Sequence, residues 1–123
     1  MVLGAEGDDK IKGGAGDDTL EGGMGIDTIY GGADDDTIKG DEGDDDIYGD
    51  DGNDNIEGGA DADNIWGGAG DDYIKGNAGA DVSRGGAGND IIFGGDDDDG
   101  LPTDTIETHD WIYGDEGDDA IFG

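Results

Sequence analysis

Gly67-Gly68-Ala69-Gly70-Asp71-Asp72-Tyr73-Ile74-Lys75 is a nine-residue unit, and the chain on both sides of it repeats it intact or in worn form. Set in nines from Gly4, the sequence gives eleven consecutive units to Pro102, then Thr103 and Asp104, then two more units from Thr105 to Phe122. The sixth position is Asp in all thirteen units. The eighth is Ile or Leu in twelve, the exception being Ser83, and the first is Gly except in the unit that opens at Thr105. A fixed short period of this kind predicts a stacked solenoid before any local propensity is weighed.

Within each unit the Gly- and Asp-rich six predicts a turn, since Gly supplies positive φ and Asp or Asn tolerates it. The remaining three residues, such as Thr28-Ile29-Tyr30, predict a very short strand with its centre inward and its neighbours outward. Turn and strand together reverse the chain once. Two nonapeptides therefore complete one coil, and like units stack at every second repeat. The expected fold is all-β, a parallel β-roll of β-helix type.

The inner rows follow by counting. One takes Ile11, Ile29, Ile47, Ile65, Ser83, Leu101 and Ile121, and the other Leu20, Ile38, Ile56, Ile74, Ile92 and Ile112. The outer face returns order that the count did not impose. Position nine reads Glu21, Lys39, Glu57, Lys75 on one sheet and Tyr30, Tyr48, Trp66 on the other. Alternating charges and stacked rings on neighbouring strands each contribute about 0.2–1 kcal/mol, which favours two units per coil over one. Tyr73, Ile91, Phe93, Trp111 and Tyr113 are expected to gather on one sheet near the C-terminal end, either as ordinary strand-face residues or as a docking patch.

The chain of 123 residues is expected to form one domain, 1–123, with regular repeats over 4–93, degenerate repeats and an insertion over 94–113, and a last repeat at 114–122. Gly94 to Pro102 has four successive Asp and ends on a proline that cannot donate to a ladder, so a bulge or loop is expected there. Asp34, Asp61 and Asp97 replace a turn glycine and are expected in left-handed conformations. Thr105 to Asp110 has no glycine, so Asp110 is expected not to bind a metal in the ordinary way.

Thirty-six acidic groups against five basic ones give a net charge of −31, with 31% hydrophobic residues and 30 glycines. A chain so charged and so poor in apolar groups stays disordered unless something neutralises it. The same charge repels nucleotides and nucleic acid. No cysteine is present, which excludes disulfides and thiolate metal sites. Met1 to Lys10 carries no basic region followed by an apolar run, and no stretch approaches the ~20 apolar residues of a membrane span. His109 is the only histidine and is expected to be a solvated loop residue. The glycines lack the adjacent Lys or helix start of a phosphate cradle, so no enzymatic activity is expected.

Acidic turns that recur at a fixed spacing bring hard oxygen donors together. Flexible sets of hard oxygen ligands suit calcium, whereas magnesium demands tighter octahedral geometry and keeps its waters. The predicted metal ligands are Asp9, Asp18, Asp27, Asp36, Asp45, Asp54, Asp63, Asp72, Asp81, Asp90, Asp99 and Asp119. Stacked loop pairs give about ten or eleven calcium sites by this count, six on one edge and five on the other.

Gly13-Gly14-Ala15-Gly16-Asp17-Asp18-Thr19-Leu20-Glu21 and Gly85-Gly86-Ala87-Gly88-Asn89-Asp90-Ile91-Ile92-Phe93 resemble the RTX (repeat-in-toxin, haemolysin-type) calcium-binding nonapeptide, Gly-Gly-x-Gly-x-Asp-x-aliphatic-x. The resemblance covers nearly the whole chain. It implies a right-handed parallel β-roll with calcium between the loops of successive coils, in secreted proteins that Gram-negative bacteria export through type I systems without an N-terminal signal peptide. It does not imply the catalysis that such proteins carry in other domains. The family's C-terminal flank and export signal are not visible after Phe122, so the chain is expected to be a piece of a longer protein, an engineered chain, or one that caps itself by association. Homo-association through uncapped ends or the Trp111 patch is the alternative functional expectation. An ice-binding solenoid fits less well, because its flat row of Thr or Asn is replaced here by charges and rings.

Overall fold

The computed structural model describes residues 1–96 and 110–123. The seven-stranded sheet holds β1 (Val2–Glu6), β3 (Thr19–Met24), β5 (Thr37–Glu42), β7 (Asn55–Ala60), β9 (Tyr73–Ala78), β11 (Ile91–Asp96) and β13 (Ala120–Phe122), side by side in that order. The six-stranded sheet holds β2 (Lys10–Ala15), β4 (Thr28–Ala33), β6 (Asp46–Asp51), β8 (Asn64–Ala69), β10 (Val82–Ala87) and β12 (Trp111–Glu116). Every pairing is parallel and joins a strand to the one two places along the chain. This is a β-solenoid with two nonapeptides per coil.

The strands from β2 to β12 are six residues long and the connections from β1 to β11 three, where the sequence predicts strands of three and turns of six. Position two of the repeat is the reason. It carries positive φ, as at Gly14 (113°), Asp50 (76°) and Asn77 (82°), and so turns a corner. The ladder nevertheless resumes beyond that corner, with Gly14 opposite Gly32 and Ala15 opposite Ala33. Position four supplies a second corner, where Asp34 (φ 80°) and Asp61 (φ 77°) take the left-handed conformation expected of them. Asp97 lies outside the described residues.

The core is two rows of position-eight side chains: Ile11, Ile29, Ile47 and Ile65 from one sheet face Leu20, Ile38, Ile56, Ile74 and Ile92 from the other, all buried. Up to Phe93 the rows match the count. Beyond it they are exchanged. Ile112 pairs with Ser83 and Ile121 with Ile92, so each belongs to the row opposite to the one predicted. The ladder offset rises from 18 residues to 29 at this point, eleven more than one coil, although Gly95 and Asp96 still pair with Asn77 and Ala78. Leu101 and Pro102, and the bulge expected around them, lie outside the described residues.

The exchange also divides the expected C-terminal patch. Tyr73, Ile91 and Phe93 lie in the seven-stranded sheet, where Phe122 stacks on Phe93 at 4.8 Å. Trp111 and Tyr113 lie in the six-stranded sheet, with Tyr113 beneath the Arg84 guanidinium at 4.6 Å. The two position-nine ladders are as read. Tyr30, Tyr48 and Trp66 stack at 4.9 and 4.6 Å, and Glu57 lies between Lys39 at 3.8 Å and Lys75 at 4.0 Å.

Ser83 is the one polar residue in the core rows among the described residues. It is fully buried between Ile65 and Ile112, and its hydroxyl has no partner. Ser83→Ile restores the side chain that fills the neighbouring rungs and removes an unsatisfied hydroxyl. Its expected effect is a gain of about 2 kcal/mol, read as a higher thermal midpoint in saturating calcium. An unchanged or lower midpoint would mean that the rung has closed around the serine.

Candidate metal centre

The position-six aspartates stand in two columns, one on each edge of the roll. Asp9, Asp27, Asp45, Asp63, Asp81 and Asp110 form one, and Asp18, Asp36, Asp54, Asp72, Asp90 and Asp119 the other. In each column the carboxylate binds the coil before it. The Asp9 N–H donates to Asp27 Oδ1 at 2.7 Å, Asp36 to Asp54 at 2.8 Å, and Asp54 to Asp72 at 2.9 Å. This bond runs between coils, so the columns hold the stack in register.

The second oxygen is different. Oδ2 of Asp9, Asp27, Asp36, Asp45, Asp54, Asp63, Asp72 and Asp90 is buried and makes no hydrogen bond. A buried, unpartnered carboxylate oxygen is costly unless a cation meets it. Without one, burial pushes the carboxyls of Asp27, Asp36, Asp45, Asp54, Asp63, Asp72 and Asp90 up against the partial relief of the single N–H, and the neighbouring carboxylates push them further. Asp45 and Asp54 rise to about 6, Asp72 to about 7 and Asp63 to about 8.

The glycines of the repeat make room for this arrangement. A Cβ on Gly13, at position one, would lie 2.6 Å from the Gly31 carbonyl oxygen and 2.8 Å from Asp18 Oδ2. At position four, a Cβ on Gly25 would lie 2.6 Å from the Gly7 carbonyl oxygen one coil below. Carbonyls of positions two and four thus point along the stack at the next turn, as Asp50 does toward Gly68 and Gly52 toward Gly70.

No three His, Cys, Asp or Glu side chains come together to hold a metal among the described residues. A cage would need backbone carbonyls beside one carboxylate from each of two turns. Those donors are all hard oxygens, and calcium takes six to eight of them in flexible geometry. The residues present fit such an ion.

Eleven of the twelve predicted ligands stand in the two columns, and Asp99 lies outside the described residues. Asp110, set aside in the sequence reading, holds the place that counting gave to Asp99. It accepts from the Asp81 N–H at 3.0 Å, and its Oδ2 lies against the place a Cβ on Gly94 would take, as Asp18 Oδ2 does at Gly13. The signal was downstream: Asp110-Trp111-Ile112-Tyr113-Gly114 keeps the strand half of the motif intact. A further ladder went unread at position five, where Asp35, Asn53, Asp71, Asn89 and Asp118 are linked in series through N–H to side-chain oxygen bonds of 2.8–3.1 Å.

Comparison with known proteins gives one family. The RTX calcium-binding nonapeptide repeat (4 copies) matches residues 2–29, 21–56, 48–83, 75–101 and 107–123. Searches of curated proteins and of solved structures return no significant match. Two independent descriptions, a repeat matched over nearly all of the chain and a solenoid whose turns present buried carboxylates, meet in one conclusion: the chain belongs to the RTX calcium-binding nonapeptide repeat family.

Proposed function

We propose that the chain is a calcium-switched folding module, disordered as a polyanion and rolled up by ions held between successive turns. The orphaned Oδ2 of the buried position-six aspartates carries this reading. The ligands are Asp9, Asp27, Asp45, Asp63, Asp81 and Asp110 on one edge and Asp18, Asp36, Asp54, Asp72, Asp90 and Asp119 on the other. Six stacked turns leave five gaps per edge, so about ten ions fill the roll when each gap takes one, with carbonyls completing six to eight ligands. The role is binding and folding, without catalysis, and the place of action is outside the cell, where calcium is plentiful. No helix among the described residues is long and apolar enough to cross a membrane.

Calorimetric titration tests the assignment. Calcium is expected to bind cooperatively with a stoichiometry near ten, and magnesium to bind weakly because it holds its own waters. Equal heats and stoichiometry for the two ions would overturn the choice of calcium. A second reading, self-association of the roll, is favoured by one observation. Among the described residues, seven of the ten exposed large hydrophobic residues, Met1, Val2, Leu3, Trp111, Tyr113, Ile121 and Phe122, sit at its two ends.

A further inference from the structure

The two ends of the solenoid are complementary to each other, and the complementarity has a register. At one end the outermost strands are β1 and β2, and at the other β12 and β13. Because successive strands alternate between the sheets, the place following β13 in the spiral lies beside β12, in the six-stranded sheet. A second copy set on this end without rotation would put its β1 on β13 and leave that place empty. Turned by half a revolution about the roll axis, the copy puts β1 beside β12 and β2 beside β13, and both sheets continue unbroken.

The repeat register then fixes each pair. Met1, Val2 and Leu3 of the copy meet Trp111, Ile112 and Tyr113, and Lys10, Ile11 and Lys12 meet Ala120, Ile121 and Phe122. Trp111 is 63% exposed, Leu3 55%, Phe122 52% and Ile121 49%, and this contact covers all four with apolar side chains or a cation. Lys12 would sit against the Phe122 ring as it sits 5.3 Å from the Tyr30 ring within its own chain. Charge is mixed at this seam: Lys10 and Lys12, two of only five basic residues, come to an end that carries Asp115, Glu116, Asp118 and Asp119, while Glu6, Asp8 and Asp9 of the incoming copy meet Glu116, Asp118 and Asp119, so the like charges there call for a cation.

The same placement stacks the turn of Asp9 on the turn of Asp119. Within the chain, the Asp90 N–H donates to Asp119 Oδ1 at 3.0 Å and the Asp9 N–H to Asp27 Oδ1 at 2.7 Å, so the two columns continue through the junction. We propose that a second copy of this chain docks head to tail with a half-turn rotation, and that the junction completes one further calcium site from Asp119 of one copy and Asp9 of the next. This rests on the calcium reading above, and it makes association depend on calcium twice, through folding of each roll and through the ion at the seam.

The test combines light scattering with cross-linking on the whole 123-residue chain, which contains no cysteine of its own. In saturating calcium the scattering mass is expected to double or more as concentration rises. The Leu3→Cys/Tyr113→Cys variant is expected to oxidise to a ladder of disulfide-linked multimers, because those positions become neighbours on adjacent strands. Leu3→Cys/Phe122→Cys, the pair that an unrotated contact would join, is expected to stay unlinked. Phe122→Glu, at an exposed end position, is expected to keep its calcium-induced circular dichroism and lose the rise in mass. A folded protein of monomer mass over a hundredfold concentration range would overturn the inference and leave the calcium reading standing. Cross-linking of the Phe122 pair in place of the Tyr113 pair would overturn the rotation. No β signal at any calcium concentration would overturn the calcium reading itself.

Discussion

Excess chelator at neutral pH is expected to abolish the β spectrum of this chain almost completely, and returned calcium to restore it. The folded roll contains only nine buried large aliphatic side chains among the described residues, in two thin rows. Against them stand a charge of −31, the ordering of 30 glycines, and eight carboxylates, Asp9, Asp27, Asp36, Asp45, Asp54, Asp63, Asp72 and Asp90, each with a buried oxygen that makes no hydrogen bond. Both the like-charge repulsion and the orphaned oxygens are answered by one change, cations in the gaps. About ten divalent ions would bring the charge from −31 to about −11. A β spectrum that survives in chelator would sink the proposal.

Protons are expected to substitute in part, and the sign follows from the buried carboxyls. Their pKa values in the folded roll are raised, to about 6 for Asp45 and Asp54, about 7 for Asp72 and about 8 for Asp63. In the unfolded chain they lie near 4. The folded state therefore binds more protons than the unfolded one between about pH 4 and pH 8, so stability falls as pH rises through that window. In chelator, β signal should grow on acidification from pH 8 to pH 4. With calcium present the same protons compete for the ligands, so the calcium midpoint should move to higher concentration in acid. A chelator-treated chain equally disordered at both pH values would show that the neutralised carboxyls do not suffice.

The parts of this fold legible in the sequence were those that depend on period alone. Ile29 over Ile11, Tyr48 over Tyr30 and Lys39 over Glu21 follow from an offset of 18, and a period survives any error about local conformation. What local chemistry decides was harder. Gly14 and Gly32 looked like turn residues, and they do bend the chain, but a positive φ reorients a ladder without ending it. Hence local chemistry predicts strands of three where the ladder runs for six. The insertion misled for a related reason. Nines set forward from their glycines assign Gly94 to Pro102 a rung. A rung, however, is set by Asp followed by an inward aliphatic residue and then Gly, and Asp110-Trp111-Ile112-Tyr113-Gly114 meets that rule while Pro102 is followed by Thr103. The orientation of each carboxylate could not be read at all, because which oxygen takes the N–H depends on the corner at position four.

Asp72→Ala is expected to be the most damaging of the single ligand changes, and Asp9→Ala a mild one. Asp72 lies in the middle of its column, with Asp54 on one side and Asp90 on the other. Removing its carboxylate takes a ligand from both gaps and leaves the Asp54 N–H, which had donated to Asp72 Oδ1 at 2.9 Å, without an acceptor. A site at a hundredfold its dissociation constant contributes about 2.7 kcal/mol, so two weakened gaps put up to about 5 kcal/mol at risk. The stranded N–H adds about 1–3 kcal/mol. Asp9 stands at the end of its column, where among the described coils of one roll it faces one gap, toward Asp27. Asp72→Asn separates the two contributions, since the amide oxygen can still accept the Asp54 N–H but carries no charge. Thermal midpoints measured at several calcium concentrations should fall in the order wild type, Asp9→Ala, Asp72→Asn, Asp72→Ala, with the spread between wild type and Asp72→Asn widening as calcium rises. Asp9→Ala and Asp72→Ala with the same midpoint at every calcium concentration would refute ligands shared between stacked turns.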